Sequence, residues 1–193
     1  MALRKILIYP DPFLRKKCAP VEEIDGEVLK LLDDMAETMY GARGVGLAAS
    51  QIGVDKRVVV IDISPRNIEA DEEEGEEEGE EETEYEGPGL IDLINPEIIS
   101  SVGQVIAEEA CLSIPGFTSD VKRKQRVVIE AYNRGGELME IEAEELLARV
   151  FQHEIDHLDG VLFIDRLSRL KRELIKRKIE KVLGKEEKRY AVM

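Results

Sequence analysis

The run His153-Glu154-Ile155-Asp156-His157 concentrates the chemistry of this chain, and it holds both of the histidines among 193 residues. Residues four apart on a helix share a face, so two imidazoles can chelate one cation while Glu154, about 100° round, reaches a water on it. A divalent metal with three protein ligands and one open position lowers that water's pKa toward neutrality, and a carboxylate can then carry its proton to a leaving group. Two satisfied core histidines are the bland alternative, but the spacing with an intervening Glu favours the metal.

The third ligand is less obvious. The sequence HEIDHLDGVLF follows the metzincin pattern as far as Gly160, but Phe163 stands where that pattern needs a third histidine. The remaining candidates are a carboxylate such as Glu173, a better surface ion-pair partner among Lys171, Arg172 and Lys176, or one of two cysteines. Cys18 lies in the context Lys16-Lys17-Cys18-Ala19-Pro20 and reads as a packing residue; Cys111 lies in the segment EEACLSIPG, which runs into a turn.

Three motifs resemble those of the peptide deformylases, and they occur in order: GVGLAASQ at 44–51, EACLS at 109–113 and QHEIDHLDG at 152–160. The flanks INPE at 94–97 and GVLFIDRLS at 160–168 belong to the same resemblance. It implies that Cys111, His153 and His157 hold the metal with water or hydroxide in the fourth position, typically as Fe2+, with zinc, nickel or cobalt accepted. The implied reaction removes the formyl group from the formyl-methionine of nascent polypeptides and releases formate, with Glu154 as general base and then acid. Gln51 and the backbone N–H of Leu112 would hold the oxyanion. Gly44 and Gly46 would let the substrate approach as a neighbouring strand, and Val45 and Val150 would line its first side-chain pocket. Glu109 and Arg123 fall at positions implied to brace the Cys111 segment as an ion pair, although Lys122-Arg123-Lys124 alone reads as a solvated face. One departure stands out: Ala110 replaces the usual glycine of the second motif, at a cost of roughly 1 kcal/mol or more only if φ is positive there.

The elements that must position these groups follow from periodicity. Ile24, Val28, Leu31, Leu32, Met35 and Met39 predict a helix over 24–40 with Asp25 as its start signal. Residues 41–53 read as a loop or short strand, and the β-branched run 58–63 as a buried strand. Residues 90–97 resume apolar character, with Asn95-Pro96 read as a turn. Segments 127–132 and 138–143 flank Asn133-Arg134-Gly135-Gly136 as a hairpin. Leu146, Leu147, Val150, Phe151, Ile155 and Leu158 give the metal-bearing helix a wide apolar stripe, with Gly160 as its stop. The expected fold is α+β, with antiparallel sheets around a central metal-bearing helix and helices near both ends of the chain.

Charge divides the chain sharply. Lys and Arg number 27 against 42 Asp and Glu, a net charge of −15. Thirteen acidic residues and no basic one fall within 69–86, so the rest of the chain is near neutral. Such a stretch has too little apolar surface to offset ordering entropy and reads as a disordered loop insertion, about 66–88, within a single domain over 1–193. Residues 166–185 carry nine basic and two acidic side chains and predict a basic terminal helix, implied by the resemblance as a ribosome-docking element. No apolar run approaches the roughly 18 to 20 residues of a membrane helix, the start lacks a secretory pattern, and two cysteines cannot build a disulfide scaffold. The chain therefore reads as a cytoplasmic monomer. Two rivals remain: a metallopeptidase using Glu173 as third ligand, and a partner-binding protein with a vestigial site.

Overall fold

The computed structural model describes residues 3–64 and 89–190, so the acidic stretch at 66–88 lies outside the described residues. The architecture is α+β. Helix α1 (Gly26–Gly41) begins at Asp25, whose side chain accepts the Glu27 and Val28 N–H groups and so satisfies two of the helix's free donors. Its apolar stripe of Val28, Leu31, Leu32, Met35 and Met39 is buried. A five-stranded antiparallel sheet runs in the order β1 (Gly46–Ala48), β2 (Val58–Ile61), β3 (Ile91–Val102), β6 (Arg126–Tyr132) and β7 (Leu138–Glu144). The intervening β4 (Val105–Glu109) and β5 (Ser119–Arg123) pair separately.

Strand β2 shows why the sheet has a helix on each face. All four of its residues are buried, and they alternate: Val58 and Val60 pack into the α1 cluster, Val59 and Ile61 into the cluster of helix α2 (Glu145–Leu158). Both faces of a period-two strand are thus covered. Helix α2 buries Phe151, Ile155 and Leu158 against the sheet, while Leu146, expected in the same stripe, is 42% exposed. Gly160 follows at φ +71, and a β-carbon there would lie 2.5 Å from the Arg15 carbonyl oxygen, so the chain can turn only through glycine. Helix α3 (Arg169–Tyr190) starts after a short turn and extends beyond the expected 185. Ile175 and Ile179 seat it on a third apolar cluster that includes Leu162 and Phe163.

Two expectations are corrected. Asn95-Pro96 is not a turn between elements: β3 continues through it, with a register shift at Ile94 to Glu97 and Asn95 at φ +54. A bulge tolerates proline, which has no N–H to give the ladder, and the Asn95 amide is occupied by a reciprocal pair of hydrogen bonds to the Val21 backbone. Arg123 is not on a solvated face. It is 5% exposed at the inward-facing end of β5, whereas Lys122 and Lys124 on either side point out.

Candidate metal centre

Cys111 follows β4 directly, in the loop that joins it to β5, and this loop lies against the second half of α2. The loop and helix bring Cys111, His153 and His157 together, all buried, with ligand atoms within 4.8 Å of one another. Cys111 Sγ stands 3.2 Å from His157 Nε2. His153 turns its other nitrogen, Nδ1, to Glu109 Oε2 at 2.9 Å, which fixes the ring and leaves Nε2 to face the cluster. One thiolate and two imidazoles fit a transition-metal ion. Glu173 is elsewhere, exposed on α3 and 3.9 Å from Lys176, and Cys18 is buried in the α2 cluster. Phe163, at the position where a metzincin would have its third histidine, is a core residue stacked near the His153 ring.

A chain of charges braces the ligands. The Arg123 guanidinium donates through Nε and Nη2 to both oxygens of Glu109, at 2.6 and 2.9 Å, and through Nη1 to Asp156 at 2.5 Å. Arg166 closes on the same Asp156 carboxylate from outside. Burial alone would raise the pKa of Glu109, but the Arg123 fork and His153 hold it at about 2, so it is an acceptor throughout the physiological range. Burial opposes a proton on His153, yet Cys111 and Glu109 outweigh it and raise that pKa. Burial, aided by the charge of His153 and of Arg123, pushes His157 down to the neutral state in which an imidazole ligates. Asp156 and Arg166 were not singled out from the sequence. Asp156 sits inside the HEIDH run between the residues to which that spacing assigns metal chemistry, and Arg166 looks like one more cation before a basic helix.

Glu154 is buried, and its Oε2 has no hydrogen-bond partner among the described residues. Burial raises its pKa to about 7 in the metal-free protein, with His153 pulling the other way. Gln51 is held by its Oε1, which accepts the Ala48 N–H at 2.8 Å, and its Nε2 reaches Ser113 Oγ at 3.2 Å and Cys111 Sγ at 3.7 Å. The Leu112 N–H has no acceptor among the described residues.

A cleft of about 370 Å³ opens over these groups, walled by residues 43–46, by the Cys111 loop with Ala110 and Leu112, and by Leu146, Arg149, Val150, His153 and Glu154 of α2. Val45 is 44% exposed on one wall and Val150 buried on the other. Strand β1 is the sheet's edge, so one side of its backbone has no neighbouring strand among the described residues. The two glycines make room for protein side chains: a β-carbon on Gly44 would meet Leu112 Cδ1 at 2.7 Å, and one on Gly46 would meet Glu154 Oε1 at 2.5 Å. Ala110 is not among the residues with positive φ, so its methyl group carries no backbone strain.

The polypeptide deformylase family model matches residues 3–173. A peptide deformylase of Thermodesulfovibrio yellowstonii is 49% identical over 180 residues, covering 93% of this chain and 98% of its own length. That of Alkalilimnicola ehrlichii is 49% identical over 183 residues, 95% and 92% of the two chains. Among solved structures, the Legionella pneumophila peptide deformylase superposes with a TM-score of 0.79 at 45% identity over 96% of this chain and 98% of that one. The Ehrlichia chaffeensis enzyme in complex with actinonin gives 0.79 at 37% identity over 94% and 98%. A whole-length match in sequence and fold, around a buried Cys-His-His cluster, means that this chain belongs to the polypeptide deformylase family.

Proposed function

We propose that the chain's metal-dependent deformylase activity is carried by Cys111, His153 and His157 as metal ligands, with Fe2+ as the ion used in the cell and zinc, nickel or cobalt as substitutes. The bound metal would supply Lewis acidity toward the formamide and bring the pKa of a water near neutrality. Glu154 takes the proton of the attacking water on its unpartnered Oε2 and passes it to the departing amine, so that formamide and water become formate and a free N-terminus. A carboxyl poised near 7 can do both at neutral pH.

Gln51 and Leu112 both line the cleft, and the Gln51 Nε2 and the Leu112 N–H would stabilise the carbonyl oxygen as it gains charge. The nascent formyl-methionyl chain adds to the free edge beside β1, at Gly44 to Gly46, with its first side chain between Val45 and Val150. Glu109 and Arg123 keep His153 and the Cys111 loop in place. The basic face of α3, with Arg177, Lys178 and Lys181 exposed, is a docking element for the ribosome, where substrate emerges. No helix among the described residues is long and apolar enough to cross a membrane, and we place the protein in the cytoplasm as a single-domain monomer that carries the acidic stretch 66–88 as an insertion.

The observation that carries this reading is a buried carboxylate, with one oxygen unpartnered among the described residues, beside the Cys-His-His cluster. Glu154→Gln should lower kcat for formate release from a formyl-Met peptide by about 100-fold or more while the protein still binds one metal per chain. Activity within a few-fold of wild type would refute the role of Glu154. Reversal of Lys176, Arg177 and Lys181 to Glu should weaken cosedimentation with ribosomes, and unchanged binding would refute the docking role.

A further inference from the structure

The α2 wall of the cleft contains a cation that the reaction does not use. Arg149 lines the cleft between Leu146 and Val150 and is half-buried, yet its guanidinium has no hydrogen bond or ion pair among the described residues. Glu145, one turn earlier on α2, does not pair with it either. Every other arginine or lysine drawn into the folded body near the site is satisfied: Arg123 by Glu109 and Asp156, Arg166 by Asp156, Arg15 by Asp165. A cation held at the wall of a substrate cleft with five unused donors is arranged for an acceptor that arrives with the substrate.

We propose that Arg149 is a specificity-determining residue that reads the third residue of the formylated chain and favours an acidic side chain there. The inference rests on the substrate placement proposed above. An extended chain alternates its side chains, so with residue 1 between Val45 and Val150, residue 3 points to the same α2 side about 7 Å further along. Arg149 stands four residues before His153, about 6 Å along the helix axis away from the metal ligands, and helical side chains lean toward the N-terminus. Arg149 adjoins Val150 on α2, so its stem, beside Leu146 and Val150, serves the apolar pocket of residue 1, and its long side chain carries the guanidinium on from there toward residue 3. Residue 2 points to the other side and is not read by it. The other charged side chains lining the cleft are Arg43, Glu108, Glu109 and Glu154; Glu108 accepts a hydrogen bond from Thr118, Glu109 is paired with Arg123, and Glu154 is buried at the reacting centre.

The test uses the metal-loaded full chain and C-terminally amidated peptides formyl-Met-Ala-X-Ala with X as Glu, Gln or Lys. Wild type should favour Glu over Lys by about five- to tenfold in kcat/KM, mainly through KM, with the ratio shrinking at about 0.5 M salt. Arg149→Met keeps the stem and should bring the ratio near one; Arg149→Glu should invert it. Moving the charged residue to position 2 should abolish the effect. A wild-type ratio within twofold of unity, or a ratio that survives both substitutions, overturns the role of Arg149. Release of no formate from even the Gln peptide would instead overturn the substrate reading on which it rests.

Discussion

Gly46→Ala isolates the contact between β1 and the proposed general base. Gly46 has no positive φ, so alanine can adopt its backbone conformation. The added β-carbon would lie 2.5 Å from Glu154 Oε1 and 2.9 Å from both Cδ and Cγ. Ordinary carbon contacts begin near 3.5 Å, so the carboxylate arm must shift by about 0.5 to 1 Å. It has little freedom to do so, since Glu154 is buried and fixed on α2 between two ligand-bearing turns. A displacement of about 1 Å at a reacting group costs on the order of 100-fold in rate. The ligands themselves are untouched. The expected result is a kcat for formate release about 100-fold below wild type, KM within a few-fold, and unchanged metal content. Gly44→Ala is the comparison, because its β-carbon comes closer than ordinary contact only to the Cδ1 tip of Leu112, a side chain that can rotate away, and its kcat should fall by less than about tenfold. If Gly46→Ala keeps kcat within threefold of wild type at full metal content, the close packing of Glu154 against β1 does not set the geometry of catalysis.

Four further outcomes follow from the same geometry. Arg123→Ala leaves Glu109 and Asp156 buried without their shared partner and should cost about 3 to 5 kcal/mol of stability, read by denaturant unfolding. Glu109→Gln should weaken metal affinity about 10- to 100-fold in a competition titration, because it loosens the carboxylate that orients His153. In metal-free protein, Glu154 has a folded pKa of about 7 against an ordinary value near 4.5, so the folded state keeps a proton that the unfolded state releases. Stability should therefore fall as pH rises from about 4.5 to 7, and Glu154→Gln should become the more stable form by about 3 kcal/mol at pH 8 while differing little at pH 4. Ala110→Gly should lower stability by about 0.4 to 1 kcal/mol, the entropy effect alone, since no strain is relieved at a negative φ.

Periodic and local signals were legible in the sequence. The α1 stripe with its Asp25 cap, the buried β2 run, the hairpin around Asn133 and the α2 stripe all depend on neighbours within one or two turns, and each element forms where its pattern lies. The spacing of His153 and His157 likewise needs nothing beyond one helix. What the sequence hid depends on distant partners. The run Lys122-Arg123-Lys124 by itself looks uniformly solvated, and only the family resemblance marks Arg123 as a partner of Glu109; β5 pairs with β4 and turns Arg123 inward onto Glu109 and also onto Asp156. Asn95-Pro96 carries a turn signature, but the Val21 backbone captures the asparagine side chain and lets β3 pass through as a bulge. Gly44 and Gly46 also make room for Leu112 and Glu154, more than sixty residues away, a need that no local pattern shows.

The most direct test of the account is X-ray absorption at the metal edge of zinc-loaded protein. Ligation by Cys111, His153 and His157 predicts one sulfur at about 2.3 Å and two imidazole nitrogens at about 2.0 to 2.1 Å, with the sulfur lost in Cys111→Ser. A wild-type spectrum with no sulfur, or one unchanged by Cys111→Ser, would contradict it.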